Sequence, residues 1–112
     1  MTSIDWKHFS QVDMRVGTVV KVEAFPEAHK PAYKLTIDFG ESLGIKKTSA
    51  QLTKRYTPES LLNKQIIAVV NFPPKQIAIF MSECLVLGAV DADGDVILMQ
   101  PETPVKNGLK IA

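Results

Sequence analysis

Between Lys46 and Arg55 the chain carries four cations, Lys46, Lys47, Lys54 and Arg55, with no acidic residue and with Thr48, Ser49, Gln51 and Thr53 among them. Cations hold the phosphates of a nucleic-acid backbone, while hydroxyl and amide groups donate to and accept from sugar and base edges. Laid out as a strand, Lys47, Ser49 and Gln51 share one face and Thr48, Ala50 and Leu52 the other, because side chains alternate along an extended backbone. The polar triplet then lines a surface groove. A solvated strand followed by a basic loop accounts for the same residues equally well.

A second constellation follows an unbroken apolar run, Ile66 to Val70, which leads into Asn71, Phe72, Pro73, Pro74 and Lys75. Such a run reads as a strand buried on both faces. Two consecutive prolines lack backbone donors and fix φ, so the ladder stops there and Asn71 and Lys75 are delivered at its rim. Phe72 or Phe80 can stack on an exposed base, a contact worth about 1 to 3 kcal/mol, with Asn71, Gln76 and Ser82 reading its edge. Against this, each phenylalanine taken singly is better explained as core. The same corner, edged by Phe72, Pro73, Pro74, Phe80 and Met81, also suits the apolar side chains of an extended polypeptide.

Catalysis finds little support. His8 and His29 have no serine or cysteine partner nearby in the sequence, so the chain reads as a non-enzyme. Cys84 lies in an apolar run and reads as a small buried hydrophobe. One cysteine and two distant histidines match no zinc spacing, and Asp91, Asp93 and Asp95 around Gly94 lack the later glutamate of a calcium loop. Gly40 and Gly44 lack the spacing of a phosphate-cradling loop. Neither a metal nor a cofactor is expected.

At 112 residues and 46% hydrophobic content, residues 1 to 112 read as one domain around one core. The single cysteine, and a start from Met1 to Lys7 without the basic and apolar regions of a secretory leader, predict a cytoplasmic protein. The net charge of +1 hides a segregation along the chain. Between residues 45 and 75, Lys46, Lys47, Lys54, Arg55, Lys64 and Lys75 stand against Glu59 alone. Between residues 76 and 105, Glu83, Asp91, Asp93, Asp95 and Glu102 stand against no cation. If the basic segment folds onto one face, the protein has a cationic side for phosphates while staying nearly neutral overall.

Several elements must position these residues. Asp5 to Val12 predicts a short N-terminal helix, capped by Asp5, with Trp6 and Phe9 on one face. Met14, Val16, Thr18, Val20 and Val22 alternate with Arg15, Gly17, Val19, Lys21 and Glu23 as a strand, with Gly17 at a bulge or bend. Tyr33, Leu35, Ile37 and Phe39 mark a half-buried second strand, and residues 45 to 52 a third. Thr57 and Pro58 open a short helix, Ile66 to Val70 follow as a strand, and Cys84 to Val90 and Asp95 to Gln100 form two more around an Asp93-Gly94 turn. Leu109 to Ile111 read as a short edge strand. About five strands with a helix between the third and fourth predict an all-β fold, a five-stranded Greek-key barrel of the oligonucleotide-binding (OB) type.

The phrases from Asp13 to Val19, Tyr33 to Gly40, Ser49 to Gln51, Val70 to Lys75, and Ser82-Glu83 resemble the tRNA-binding domain family over nearly the whole chain. Within it, Ser49 to Tyr56 and Val69 to Lys75 are most similar to export-related chaperones. The resemblance implies an OB barrel, a homodimer, and binding of tRNA or other structured RNA, or of unfolded polypeptide without ATP on its way to export. It also implies a ligand face carried by Ser49, Gln51, Asn71, Lys75 and Ser82. Lys46, Lys47, Lys54, Arg55 and Gln76 are candidates beside that face, and Trp6 and Phe9 are candidates for the dimer interface. Ile79 departs from the family pattern, standing where a glycine is usual.

Overall fold

The computed structural model describes residues 1–112. Its elements in order are α1 (Trp6–Ser10), β1 (Met14–Ala24), β2 (Tyr33–Asp38), β3 (Ile45–Ala50), α2 (Pro58–Leu61), β4 (Gln65–Val69), β5 (Lys75–Ile77), β6 (Phe80–Ser82), β7 (Leu85–Val86), β8 (Gly88–Val90) and β9 (Val96–Leu98). The main sheet runs β3-β2-β1-β4-β7 with every pair antiparallel, while β5-β6 and β8-β9 are separate hairpins. Coiled round, the sheet makes a nearly closed five-stranded barrel. No helix is long and apolar enough to cross a membrane.

β1 is the central strand and explains the curvature. It pairs with β4 through residues 14 to 18 and with β2 through residues 18 to 24, so one strand serves two halves of the barrel. The bulge falls at Val20, between the paired residues Val19 and Lys21, and not at Gly17 as the sequence suggested. The extra residue exchanges the faces of β1, so Val19 and Val22 turn toward the core while Val20 is exposed. Gly17 is regularly paired with Ile66. Its role is close approach: a Cβ there would stand 2.6 Å from Ile37 Cγ2 and 2.7 Å from Phe39 Cδ1.

The core is built from Val19, Leu35, Ile37, Phe39, Leu52, Leu61, Ile66, Ala68, Val70, Cys84 and Leu98. The run from Ile66 to Val70 is the buried strand expected of it. α2 supplies Leu61 as a plug that is 0% exposed. Thr57 and Ser60 cap this helix reciprocally, and Pro58 fixes its first turn. At the helix exit Asn63 takes a positive φ of 68°, donating to the Val19 carbonyl at 2.8 Å, while Val19 donates to Lys64 at 2.9 Å. The helix is thereby tied to the strand beside its bulge.

Three elements depart from the sequence reading. The apolar run after Cys84 divides at Leu87, because the chain changes partner there: the Leu87 amide donates to Ile67, and its carbonyl accepts from Met99. The tail residues 109 to 111 make a single bridge, Lys110 to Arg15, in place of a strand. They lie along the part of β1 that β2 leaves uncovered, with Val16 and Ile111 donating across to Leu109 and Met14. Phe72 lies beyond the last ladder residue, outside the core and 54% exposed, whereas Phe80 packs edge-to-face on Phe25 at 5.4 Å.

Gly17→Ala should destabilise the protein by about 1 to 3 kcal/mol, since the added methyl overpacks Ile37 and Phe39, and an unchanged urea midpoint would contradict this. Burial pushes the Cys84 thiol up from 9.0 to about 11, with the Thr48 hydroxyl offsetting only part of the effect. At pH 8 that leaves about a hundredfold less thiolate, so a thiol reagent should modify the native protein about a hundredfold more slowly than the urea-unfolded chain. The unfolded thiol loses its proton above about pH 9 while the native one keeps it, so stability should fall as pH rises from about 9 to 11. Cys84→Ala should remove that part of the slope.

Candidate functional site

One side of the barrel is completed by side chains in place of a continuous ladder. The Thr48 hydroxyl, 1% exposed as a residue, lies 2.7 Å from Ser82 Oγ and donates to the Cys84 carbonyl at 2.7 Å. Glu83 donates its amide to the Lys47 carbonyl at 2.7 Å and accepts the Lys47 amide on its carboxylate at 2.8 Å. Ser82 is also paired with Lys75 across the β5-β6 hairpin. Through Ser82, therefore, the hairpin that carries Lys75 is fixed to the strand that carries Lys47 and Ser49.

A groove runs past this seam. A cavity of about 530 Å³ is lined on its polar side by Ser49, Gln51, Lys75 and Ser82, and on its apolar side by Leu52, Ile77, Leu85, Val86, Val96 and Leu98. It shares Lys75, Ser82, Cys84 and Leu85 with a neighbouring hollow of about 310 Å³ that reaches Phe72 and Pro73. The two sequence constellations thus meet in one trough. A larger hollow of about 600 Å³ lies elsewhere, between the turn after Phe39 and the tail. Arg15, at its edge, is already committed to Asp13 at 2.6 Å and to the Gly108 carbonyl at 3.1 Å, so the shared trough is the better candidate.

The candidate residues have different degrees of freedom. Lys46, Lys47 and Lys75 form no ion pair, and Lys47 and Lys75 are exposed. Lys54 and Arg55 stand against the β8-β9 turn, with Lys54 Nζ 3.0 Å from Asp93 and Arg55 Nη2 2.6 Å from Asp95. The hydrogen bond to Asp95, then its charge, raises the Arg55 pKa, and the hydrogen bond from Lys54, then that from the Asp95 amide, lowers that of Asp93. The charge segregation seen along the chain is partly undone when the acidic segment folds back onto the basic one.

Asn71 is occupied locally: its carbonyl oxygen accepts the Asp13 amide at 3.0 Å and its amide nitrogen donates to the Gln11 carbonyl at 2.7 Å. Gln76 donates to the Ala78 carbonyl at 3.0 Å, closing a hairpin in which Ala78 holds a positive φ of 53° and Ile79 projects at the tip. Met81, Pro73 and Pro74 are exposed, while Phe80 shares the Lys34 ammonium with Phe25, at 5.6 and 5.1 Å from the ring centres. Trp6, 86% exposed, and Phe9 sit on α1 with Ile4 beside a shallow apolar hollow away from the groove. No group of three or more His, Cys, Asp or Glu side chains is arranged to hold a metal. Thr48, Glu83, Cys84 and the β8-β9 hairpin lie outside the sequence-based candidates, although the alternation of residues 47 to 52 sets Thr48 on the face opposite the polar triplet, which is the buried one.

Comparison with known proteins agrees with this architecture. Solved structures of the chaperone CsaA from Bacillus anthracis and from Picrophilus torridus superpose with TM-scores of 0.94 and 0.92, at 53% and 55% identity. They cover 99% and 98% of this chain and 100% of their own. The methionine–tRNA ligases of Porphyromonas gingivalis and Pyrococcus furiosus are each 35% identical over 96% and 99% of this chain, which spans 15% of their length. The family described as "Putative tRNA binding domain" matches residues 14–110. The chain therefore belongs to the tRNA-binding domain family.

Proposed function

We propose that this protein is a non-catalytic, cytoplasmic RNA-binding module that takes tRNA or similarly structured RNA at the groove beside the β3 seam. The observation that carries this reading is that unpaired Lys75 lines one trough with Ser49, Gln51 and Ser82, while unpaired Lys47 stands two residues before Ser49 on β3. Lys46, Lys47 and Lys75 are assigned to phosphates, and Ser49 and Gln51, which form no side-chain hydrogen bonds within the protein, to sugar or base edges. Exposed Phe72 offers a ring for one unstacked base. Phe80 is committed to Phe25 and Lys34 and supports the hairpin from behind.

A second reading uses the same trough for an unfolded polypeptide, as an ATP-independent chaperone assisting export. It is favoured by the apolar wall from Leu52 to Leu98 and by the likeness to the two CsaA chaperone structures. In either case we assign the exposed α1 face, with Ile4, Trp6, Phe9 and Val12, to a twofold contact between two copies.

With three cations on phosphates, tripling the salt should weaken binding of bulk tRNA about tenfold, and Lys47→Gln with Lys75→Gln should flatten that dependence. Absence of tRNA binding, together with suppressed aggregation of an unfolded client, would replace the RNA reading by the chaperone one. At micromolar concentration the solution mass should be twice 12.4 kDa, and Trp6→Ala with Phe9→Ala should reduce it to the single-chain value. A wild-type mass of one chain would overturn the dimer.

A further inference from the structure

The turn of the β8-β9 hairpin lies across the basic loop that follows β3. Lys54 Nζ contacts the Asp93 carboxylate at 3.0 Å and donates to the Asp93 carbonyl at the same distance. Arg55 donates through Nε and Nη2 to Asp95, with its bonds between 2.6 and 3.1 Å. A guanidinium fork on a carboxylate has the geometry it would adopt on a phosphate, so Asp95 fills the place of such a ligand. The acids are held there by the turn itself. Asp91 donates to the Asp95 carbonyl at 2.8 Å, Gly94 has φ of 84°, and the Asp95 amide donates to Asp93 at 3.1 Å.

The same hairpin forms one wall of the groove through Gly94, Val96 and Leu98. The groove is therefore polarised. On one side Lys47 and Lys75 form no ion pair and stand with Glu83, whose carboxylate holds the Lys47 amide, a local balance of +1; on the other, Lys54 and Arg55 face Asp91, Asp93 and Asp95, a local balance of −1. A phosphate approaching Lys54 or Arg55 exchanges one ion pair for another and leaves a carboxylate unpaired beside it. Already neutralised by carboxylates, those cations also displace fewer of the counterions condensed on RNA, so they add little to its binding.

We propose that Asp93 and Asp95 are specificity-determining residues of the groove: as built-in counter-anions they withhold Lys54 and Arg55 and confine a polyanionic ligand to the Lys47 and Lys75 end. This rests on the RNA-binding reading above. The Lys54–Asp93 pair is exposed and contributes little to stability, and asparagine at 93 and 95 keeps the backbone bonds of the turn, so the Asp-to-Asn changes leave the fold in place while altering the charge offered to a ligand.

Binding of bulk tRNA, measured between 0.05 and 0.3 M salt, tests this. Asp93→Asn with Asp95→Asn should tighten binding about tenfold at 0.1 M salt and steepen the log-log salt slope by about 1.4, two added contacts' worth. Asp93→Asn alone, at the more exposed of the two acids, should give about half that change of slope. Glu27→Gln with Glu102→Gln alters net charge equally at exposed positions outside the ion pairs and should leave the slope unchanged. Adding Lys54→Gln and Arg55→Gln to the double Asn variant should restore the wild-type slope, the coupling expected of a double-mutant cycle. An unchanged slope in both Asp variants, with tRNA still bound through Lys47 and Lys75, would overturn the proposal and leave the RNA reading standing. So would an equal gain in the Glu27 and Glu102 control. No tRNA binding by any of these proteins would overturn both.

Discussion

The groove depends on how the barrel is closed. An open sheet of order β3-β2-β1-β4-β7 leaves β3 and β7 as edges. The two edges are joined through Thr48, Ser82, Glu83 and Cys84, with a carboxylate and two hydroxyls taking parts that backbone amides and carbonyls play elsewhere. Because Thr48 is buried, its hydroxyl would cost about 1 to 3 kcal/mol if left without a partner, so the seam resists opening. A side-chain closure can also diverge where a ladder cannot. The trough lies beside this seam, with Ser49, Gln51 and Ser82 in its lining.

The same seam sets the electrostatics. Glu83 lies within a stretch that lacks any cation, yet the seam brings it to the Lys47 backbone, and the β8-β9 turn brings Asp93 and Asp95 to Lys54 and Arg55. Charges far apart in sequence thus become neighbours, and the cationic surface is narrower than the linear count of residues 45 to 75 implied. What stays unpaired near the groove is Lys46, Lys47 and Lys75, on either side of the seam.

Much of this was legible in the sequence because the responsible signals are local. The alternation Tyr33, Leu35, Ile37, Phe39, the Thr57-Pro58 cap, the apolar run ending at two prolines and the Asp93-Gly94 turn each reflect one stretch of backbone, and each formed where expected. The bulge at Val20 was misplaced because glycine has two uses, backbone freedom and lack of a side chain, and Gly17 serves the second. The engagement of Asn71 with Gln11 and Asp13, and that of Arg55 with Asp95, link residues 58 to 60 and 40 positions apart. No periodicity reports such partners. The break at Leu87 is likewise a change of neighbour and not of residue type.

Asn71 joins two parts of the protein that are otherwise separate. Its amide holds both Gln11 and Asp13, the residues by which α1 leads into β1, and its own chain continues directly into Phe72 and Pro73 at the groove mouth. Val70 adds a further bond to Asp13 at 2.9 Å. The helix that exposes Trp6 and the lip of the trough are thus mounted on a common bracket. One asparagine side chain therefore fixes both where α1 leaves the barrel and where the groove mouth begins.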